Sequence, residues 1–528
     1  MEYRITDLRL ELDGSESNLK REVAKRLRVR PEEIRSLKLF RRSVDARRKD
    51  DVHFVCTVDA DCPHSSVPRD RKISKAEPYR YRLPESRPPE GRPVVVGFGP
   101  AGMFAALVLA QAGWRPIVLE RGSRVEERRK KAELFWRTGA LDPECNVQFG
   151  EGGAGTFSDG KLNTGTKDPR IRKVLEEFAA AGAPEEILWL AKPHIGTDLL
   201  PGVVRNIRRT ILSLGGEILF DTRMTRLLSR NGRVSGVEFL PSGGTPERLD
   251  ARDVVLAVGH SARDTFAMLA ETGMPMEAKP FAVGARIEHP QRLIDAVQYG
   301  KFAGNPALGA ADYKLAVHLD DGRGVYTFCM CPGGTVVAAA SEPGRLVTNG
   351  MSEFSRGGQN ANSALLVNVG PADFGGSGPL AGVEFQRRLE EKAFVLGGGG
   401  FRAPAQRVED FLAERPSSGF GDVAPSYPVG VTPCSLDACL PDFVAGSMRE
   451  GLRRMDARLR GFAYPDAVLT GVESRSSSPV RLLRGEHLQS VGLAGLYPCG
   501  EGAGYAGGIV SAAVDGIRCA EGILTENG

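Results

Sequence analysis

The chain carries little net charge. Seventy Lys+Arg stand against 66 Asp+Glu, a formal +4 at pH 7 over 528 residues. Nucleic-acid binding by charge alone requires a strongly basic face, so that class is disfavoured. The slight excess lies at one end, with 22 basic and 17 acidic residues in 1–90. The opening MEYRITDLRLELDG has interspersed acids and no apolar h-region. It reads as mature protein, not a signal or transit peptide, and the expected compartment is the cytoplasm. Nine cysteines, an odd number, follow no disulfide framework, which points to reduced thiols. Cys56, Cys62 and His64 fit no standard zinc spacing, and no metal is expected.

Pro93–Trp114 has no charge and is about long enough to cross a bilayer. Three glycines and Pro100 near its start argue instead for strand, turn and helix. Val94, Val95 and Val96 make a buried strand. Gly97, Gly99 and Gly102 form GxGxxG, with Pro100 and Ala101 in the turn and an apolar helix to about Ala112. Pro116–Glu120 is a second strand ending in an acid. Such a βαβ unit brings backbone against a pyrophosphate at a helix N-terminus, with Glu120 set to accept ribose hydroxyls and Arg121 beside it.

Around this unit four regions are expected. Residues 1–86 read as a small α+β module, strand–helix–strand–strand, through Tyr3–Leu12, Asn18–Leu27, Leu37–Arg42 and Val52–Val58. Its Arg41-Arg42 and Arg47-Arg48-Lys49 form a basic edge, either solvated charge or a docking surface for an acidic partner. Pro84–Pro93 is a stiff linker. Residues 93–275 are the first part of the nucleotide domain. They include the glycine-rich Val147–Asn163, where Gly153, Gly155, Thr156 and Ser158 can form an anion nest. The Asp253–Gly259 strand follows and delivers Gly259 and His260.

Residues 276–470 read as a mainly antiparallel substrate or cap domain, with strands at Phe281–His289, Tyr313–Leu319, Val325–Cys331, Thr335–Ser341 and Ala364–Val369. In Val325–Cys331, alternation puts Tyr326, Phe328 and Met330 on one face and Thr327, Cys329 and Cys331 on the other. Alternate Cα atoms on a strand are about 6.5–7 Å apart, too far for an unstrained disulfide. The two thiols therefore either pack against a second layer or act beside a ligand. Gly397–Gly400 follows a helix, not a strand, and is not a second dinucleotide site. Residues 471–528 return to the nucleotide fold through Leu496-Tyr497, Gly500-Glu501-Gly502 and the helix opened by Gly507, Gly508 and Ile509. A carboxylate at Glu501 can bind ribityl hydroxyls, and the helix N-terminus can face a flavin pyrimidine edge.

These stretches together resemble FAD-dependent oxidoreductases with a glutathione-reductase-type nucleotide fold. More narrowly, the chain resembles the bacterial FAD-dependent dehydrogenases that carry an N-terminal α+β module. RRSVDARRKDDVHFVCTVD, FGEGGAGTFSDGKLNT, LAVGHSARDTFAML, KPFAVGARIEHPQ, FCMCPGG, ESRSSSPVR and PCGEGAGYAGGIVSAAVDG carry the likeness, from about residue 37 to residue 516. The resemblance implies non-covalent FAD on an α/β, Rossmann-like fold with an inserted α+β substrate domain and a small N-terminal α+β domain. The redox Cys-x4-Cys and second dinucleotide fold of glutathione reductase are missing from their expected places.

The expected activity is a dehydrogenase or reductase moving a hydride between flavin and a small organic substrate. His260, His289 and Arg475 are the candidates for proton transfer or polarisation, with Cys329 and Cys331 behind them. NADH or NADPH would be at most a transient electron donor, and a protein carrier is an alternative. A flavin monooxygenase and a flavin-containing RNA-modification or scaffold protein are the rival readings. No membrane partner is expected.

Overall fold

A computed structural model describes residues 1–63, 68–88 and 91–526. His64 and two positions of the expected linker lie outside the described residues. The N-terminal module is a four-stranded antiparallel sheet ordered Ser36–Asp45, His53–Asp61, Glu2–Leu10, Ile73–Lys75. His53–Asp61 alternates strictly, sending Phe54, Cys56, Val58 and Ala60 inward. They meet Leu19, Val23 and Leu27 of the Glu16–Leu27 helix.

The module is docked, not merely tethered. The Arg42 N–H donates to the Trp189 carbonyl at 2.8 Å, and the Ala191 N–H donates to the Arg42 carbonyl at 2.9 Å. The Arg42 guanidinium lies 4.5 Å from the Trp189 ring centroid. The basic run is partly neutralised within itself, Arg47 on Asp45 and Arg48 on Asp50. Past the module's last strand, Tyr81 donates to Glu521 at 2.9 Å and Ser86 accepts from the Trp114 indole at 3.1 Å, so this end of the module packs on the nucleotide domain.

The nucleotide domain is built on a five-stranded parallel sheet. Its order is Leu496–Pro498, Val254–Leu256, Val94–Val96, Ile117–Leu119, Glu217–Leu219. Val94–Val96 is central because it is apolar on both faces and must be covered on both. The Pro100–Gln111 helix is buried all round, between this sheet and the long Ile509–Glu526 helix. A Cβ on Gly102 would sit 1.9 Å from the Gly97 carbonyl oxygen, so only glycine lets the helix settle on its own strand turn. Among the described residues no helix is long and apolar enough to cross a membrane. A three-stranded antiparallel sheet, Thr222–Arg230, Arg233–Pro241 and Glu247–Asp250, flanks the nucleotide domain.

The inserted domain carries a seven-stranded sheet: Ala316–His318, Gly324–Cys331, Asn360–Val369, Phe281–Pro290, Val468–Glu473, Ala403–Arg407, Val431–Pro433. Only the last pairing is parallel. Three of these strands were not expected: Val468–Glu473, and Ala403–Arg407 and Val431–Pro433, where Pro404 and Pro433 interrupt the strand signal and lie toward the sheet edge, where proline is tolerated. Val468–Glu473 runs across the expected boundary at residue 470. Tyr313 is not in a strand; its ring is buried and its hydroxyl meets Ser363 at 2.9 Å. Thr335–Ser341 is a strand only to Ala338, paired with Thr348–Met351 in a separate ribbon.

Candidate active site

A cavity of about 340 Å³ lies where the parallel strands end, walled on its far side by the seven-stranded sheet. Gly97, Gly99, Pro100 and Ala101 form one lip, at the positive N-terminus of the Pro100–Gln111 helix. Gly153, Gly155 and Ser158 face them. Gly153 has φ +62°, and a Cβ there would lie 2.9 Å from the Gly99 Cα, so the two glycine loops touch backbone to backbone.

Glu120 lines the cavity and is nearly fully buried. Its carboxylate accepts the N–H groups of Phe98 at 2.8 Å and of Gly122 and Gly150 at 2.9 Å. Three of a carboxylate's roughly four acceptor positions are thus used, which fixes the group in place. Arg121 pairs with Glu144 at 2.9 Å and Asp264 at 3.0 Å and lies 4.0 Å over the Phe149 ring. Arg223 joins the same acids, at 2.8 Å from Glu144. Gly259 also lines this end.

At the other end stand Glu501, Gly507, Gly508 and Ile509, the start of the last helix. Burial pushes the Glu501 carboxyl up to about 7, with Lys279 opposing.

Three expected cofactor positions do not line the cavity. Gly102 is consumed by helix–strand packing. Thr156 turns its hydroxyl back to the Glu151 carbonyl at 3.4 Å, behind the glycine loop. The Gly500 N–H donates to Asp515 at 2.8 Å.

Of the catalytic candidates, the structure brings His260, Arg475 and Cys329 to one cavity. It removes His289, which is fully buried in the inserted domain with Nε2 2.7 Å from the Phe462 carbonyl oxygen. Phe281–Pro290 is covered on both faces, so every side chain along it except the last is interior. Burial pushes the His289 imidazole down to about 4, and its role is structural. Cys331 is also buried and lies behind Cys329, its Sγ 3.3 Å from the Cys329 carbonyl oxygen.

The expected alternation through Val325–Cys331 fails at one point. The register shifts between Phe328 and Cys331, and Cys329 adopts φ +43°. A bulge there turns both Phe328 and Cys329 onto the cavity wall.

Arg475 is held rather than free. Its Nε and Nη2 donate to Glu390 at 3.0 and 2.9 Å, and Arg263 grips the same carboxylate at 2.7 and 2.9 Å. Burial opposes the charge on Glu390, and the two guanidiniums outweigh it, keeping the carboxyl far below its usual range. Arg475 Nη1 then reaches Ser261 at 3.1 Å, whose hydroxyl lies 3.0 Å from His260 Nδ1. Burial, with Arg475 and Arg263 nearby, pushes His260 down to about 3. His260 is therefore a neutral hydrogen-bonding group at physiological pH, not a cationic acid.

Several functional side chains escaped the sequence reading. Arg286, fully buried, is a hub beneath the cavity wall. It donates to Glu473 at 2.7 and 2.9 Å, to Asn349 at 2.9 Å and to the Cys329 carbonyl at 2.8 Å. The available signal was one arginine inside the apolar run FAVGARI. Lys161 and Asp159 also line the cavity, 3.0 Å apart, with Arg356 closing on Asp159 from behind. Burial works against the Lys161 ammonium, and Asp159 outweighs it. Cys499, Asp515 and Cys519 are the one metal-like grouping among the described residues, but Arg484 occupies Asp515 at 2.6 Å.

Residues 280–476 match a family described as FAD-dependent protein, C-terminal domain-like, and residues 2–61 match a domain of unknown function. An uncharacterised protein of Clostridium beijerinckii (strain ATCC 51743 / NCIMB 8052) is 50% identical over 531 residues, 99% of each chain. A thiamine thiazole synthase of Aeropyrum pernix is 27% identical over 197 residues, 35% of this chain and 60% of that one. Among solved structures, a flavin-dependent brominase covers 82% of this chain and 80% of its own at 13% identity and TM-score 0.38. A flavoprotein/dehydrogenase from Cytophaga hutchinsonii covers 83% and 79% at 11% identity and TM-score 0.36. Likenesses this distant say nothing of the reaction.

Proposed function

The chain belongs to the family of FAD-dependent proteins that includes the Clostridium beijerinckii protein, and from that premise we propose that it is a dehydrogenase or reductase acting on a small organic molecule inside the cavity. The observation that carries this reading is the continuity of one cavity, from the glycine turn at Gly97–Ala101 to the polar wall of Lys161, Cys329, Asn349 and Arg475. The residues fit FAD. The backbone cradle between Gly99 and Gly153 is one that a Cβ on Gly153 would fill. Gly97–Ala101 would hold the pyrophosphate, Glu120 the adenosine ribose and Glu501 the ribityl chain. The Ile509–Glu526 helix N-terminus would favour negative charge at the flavin pyrimidine edge. FAD supplies two-electron redox chemistry when bound.

The chain's own residues then orient and polarise. Arg475, fixed by Glu390, presents a guanidinium edge that can hold a carbonyl or carboxylate oxygen. Neutral His260 can accept or donate one hydrogen bond beside it. Lys161 adds a cation whose position Asp159 fixes. The inserted domain closes one wall of the site through Phe328, Cys329, Thr348 and Asn349. NADH or NADPH would reach the flavin only through this same cavity, and a protein electron carrier is the other source consistent with it.

The test is a metabolite screen for anaerobic flavin bleaching on the purified, yellow holoprotein. A compound that bleaches the flavin and is itself oxidised supports the reading. Substrate-linked oxygen consumption with hydroxylated product would favour a monooxygenase instead.

A further inference from the structure

The Cys329–Cys331 pair has an asymmetry that packing does not explain. Two small thiols filling space between layers would both be buried, on a regular strand. Here Cys331 is fully buried, while Cys329 is only half-buried and lies on the cavity wall. Cys329 also holds a left-handed backbone, φ +43°, which non-glycine residues rarely adopt. Its neighbours keep it there: Arg286 donates to the Cys329 carbonyl at 2.8 Å, and Lys161 donates to the Met330 carbonyl.

The bulge also removes the objection to contact between the sulfurs. An extended strand holds alternate Cα atoms about 6.5–7 Å apart with their side chains parallel. The left-handed turn breaks that geometry, and Cys331 Sγ comes to 3.3 Å from the Cys329 carbonyl oxygen, directly behind the exposed sulfur. The two sulfurs differ in character. Cys331, with Lys161 and Arg286 nearby, lowers the Cys329 thiol against the effect of burial. The Cys331 thiol is raised by its partner Cys329 and by burial. A cavity-facing sulfur backed by a second, buried thiol two residues on is the arrangement that thiol–disulfide exchange uses.

We propose that Cys329 and Cys331 form a dithiol–disulfide couple that exchanges two electrons with the flavin of the same cavity. In the oxidative direction the two S–H bonds break and one S–S bond forms. The thiols lose two electrons and two protons, and FAD accepts both as FADH2. In the reductive direction FADH2 gives up two electrons and two protons and returns to FAD, the S–S bond breaks and both thiols are restored. Cys329 is the sulfur that the cavity exposes, so the couple would serve a small thiol or disulfide that fits there. The proposal rests on the FAD reading of the cavity.

The experiment is an anaerobic dithionite titration of air-oxidised, full-length holoprotein, with the tryptic peptide 324–345 analysed by mass. That peptide carries Cys329 and Cys331 and no other cysteine. Wild type is expected to take up four electrons per FAD, and Cys329→Ser and Cys331→Ala two each. Before titration the wild-type peptide should be two hydrogens light and resist iodoacetamide; afterwards it should take two labels. If Cys331→Ala is insoluble, Cys329→Ser decides the electron count. Two-electron uptake by wild type with full FAD, and both cysteines alkylated from the start, would overturn the couple. A chain that takes up no FAD overturns the cavity reading itself, a separate and visible failure.

Discussion

Gly99 and Gly153 meet backbone to backbone across the mouth of the cavity: a side chain on Gly153 would begin 2.9 Å from the Gly99 Cα. They lie in different glycine runs, one opening the first helix of the nucleotide domain and one following its charged helix. The constraint falls on Gly153, since a Cβ on Gly99 would make only ordinary contact, 3.6 Å from the Gly153 Cα.

Gly153→Val should therefore give soluble but largely colourless protein. The substitution adds backbone strain of on the order of 1–3 kcal/mol at φ +62° to a direct clash. FAD occupancy after purification, read by absorbance, should fall at least about tenfold, while far-ultraviolet circular dichroism stays near wild type. Full occupancy would mean that the pyrophosphate lies elsewhere.

Much of the nucleotide half was legible in the sequence. GxGxxG, an acid about 20 residues on and glycine-ended apolar strands are local signals, because each reports a close approach along a short piece of chain. The inserted-domain wall of the cavity was not, because its geometry depends on a bulge. Period-2 reasoning put Phe328 with Met330 and Cys329 with Cys331, and one left-handed residue undid that pattern. His289 looked chemical in sequence, but lies on a strand buried on both faces, which alternation cannot reveal. Arg286 and Glu390 organise the wall from behind, and their partners Glu473 and Arg475 lie 187 and 85 residues away in sequence.

Arg286→Met should be strongly destabilising. It leaves the buried Glu473 carboxylate without its partner, and breaking a buried pair from one side costs about 3–5 kcal/mol. The double variant Arg286→Met/Glu473→Gln should recover part of that loss in a denaturant titration. It should not recover the cavity wall, since the Cys329 carbonyl and Asn349 still lack their donor. Equal instability of single and double variants would show that the loss does not come from an unpaired Glu473 carboxylate.

Glu501 predicts a pH dependence of FAD binding. In the ligand-free chain its carboxyl is raised to about 7 by burial, so it is mainly protonated at pH 6. Ribityl hydroxyls donating to it would favour the ionised form. Binding then releases a proton below about pH 7, and affinity should rise with pH up to that point and level off above it. Calorimetry in buffers of different ionisation enthalpy reads the proton directly. Glu501→Gln should flatten the profile; an unchanged slope would free Glu501 from any contact with the cofactor.

Removing residues 1–86 should leave a chain that still binds FAD, because no cavity-lining residue lies in the module. The contact at Arg42 and Trp189 predicts a cost: the truncated chain exposes the Trp189 face and should lose some thermal stability. Trp189→Ala in the full chain should mimic that loss without affecting FAD content. Loss of FAD on truncation would make the module part of the nucleotide fold.

The electron source follows from the number of dinucleotide folds. Among the described residues one parallel sheet carries a glycine turn of this type, and the cavity at its edge fits FAD. Gly397–Gly400 follows the Ala381–Leu396 helix and has no strand before it. A nicotinamide cofactor would thus have no nucleotide site of its own and would compete with substrate for the open end of the cavity. Anaerobic stopped-flow mixing with rising NADH or NADPH should give slow bleaching that does not saturate below millimolar cofactor. Adding a tight cavity ligand should slow it further. Fast bleaching that saturates at micromolar NADH or NADPH, unaffected by such a ligand, would require a nicotinamide site outside the cavity.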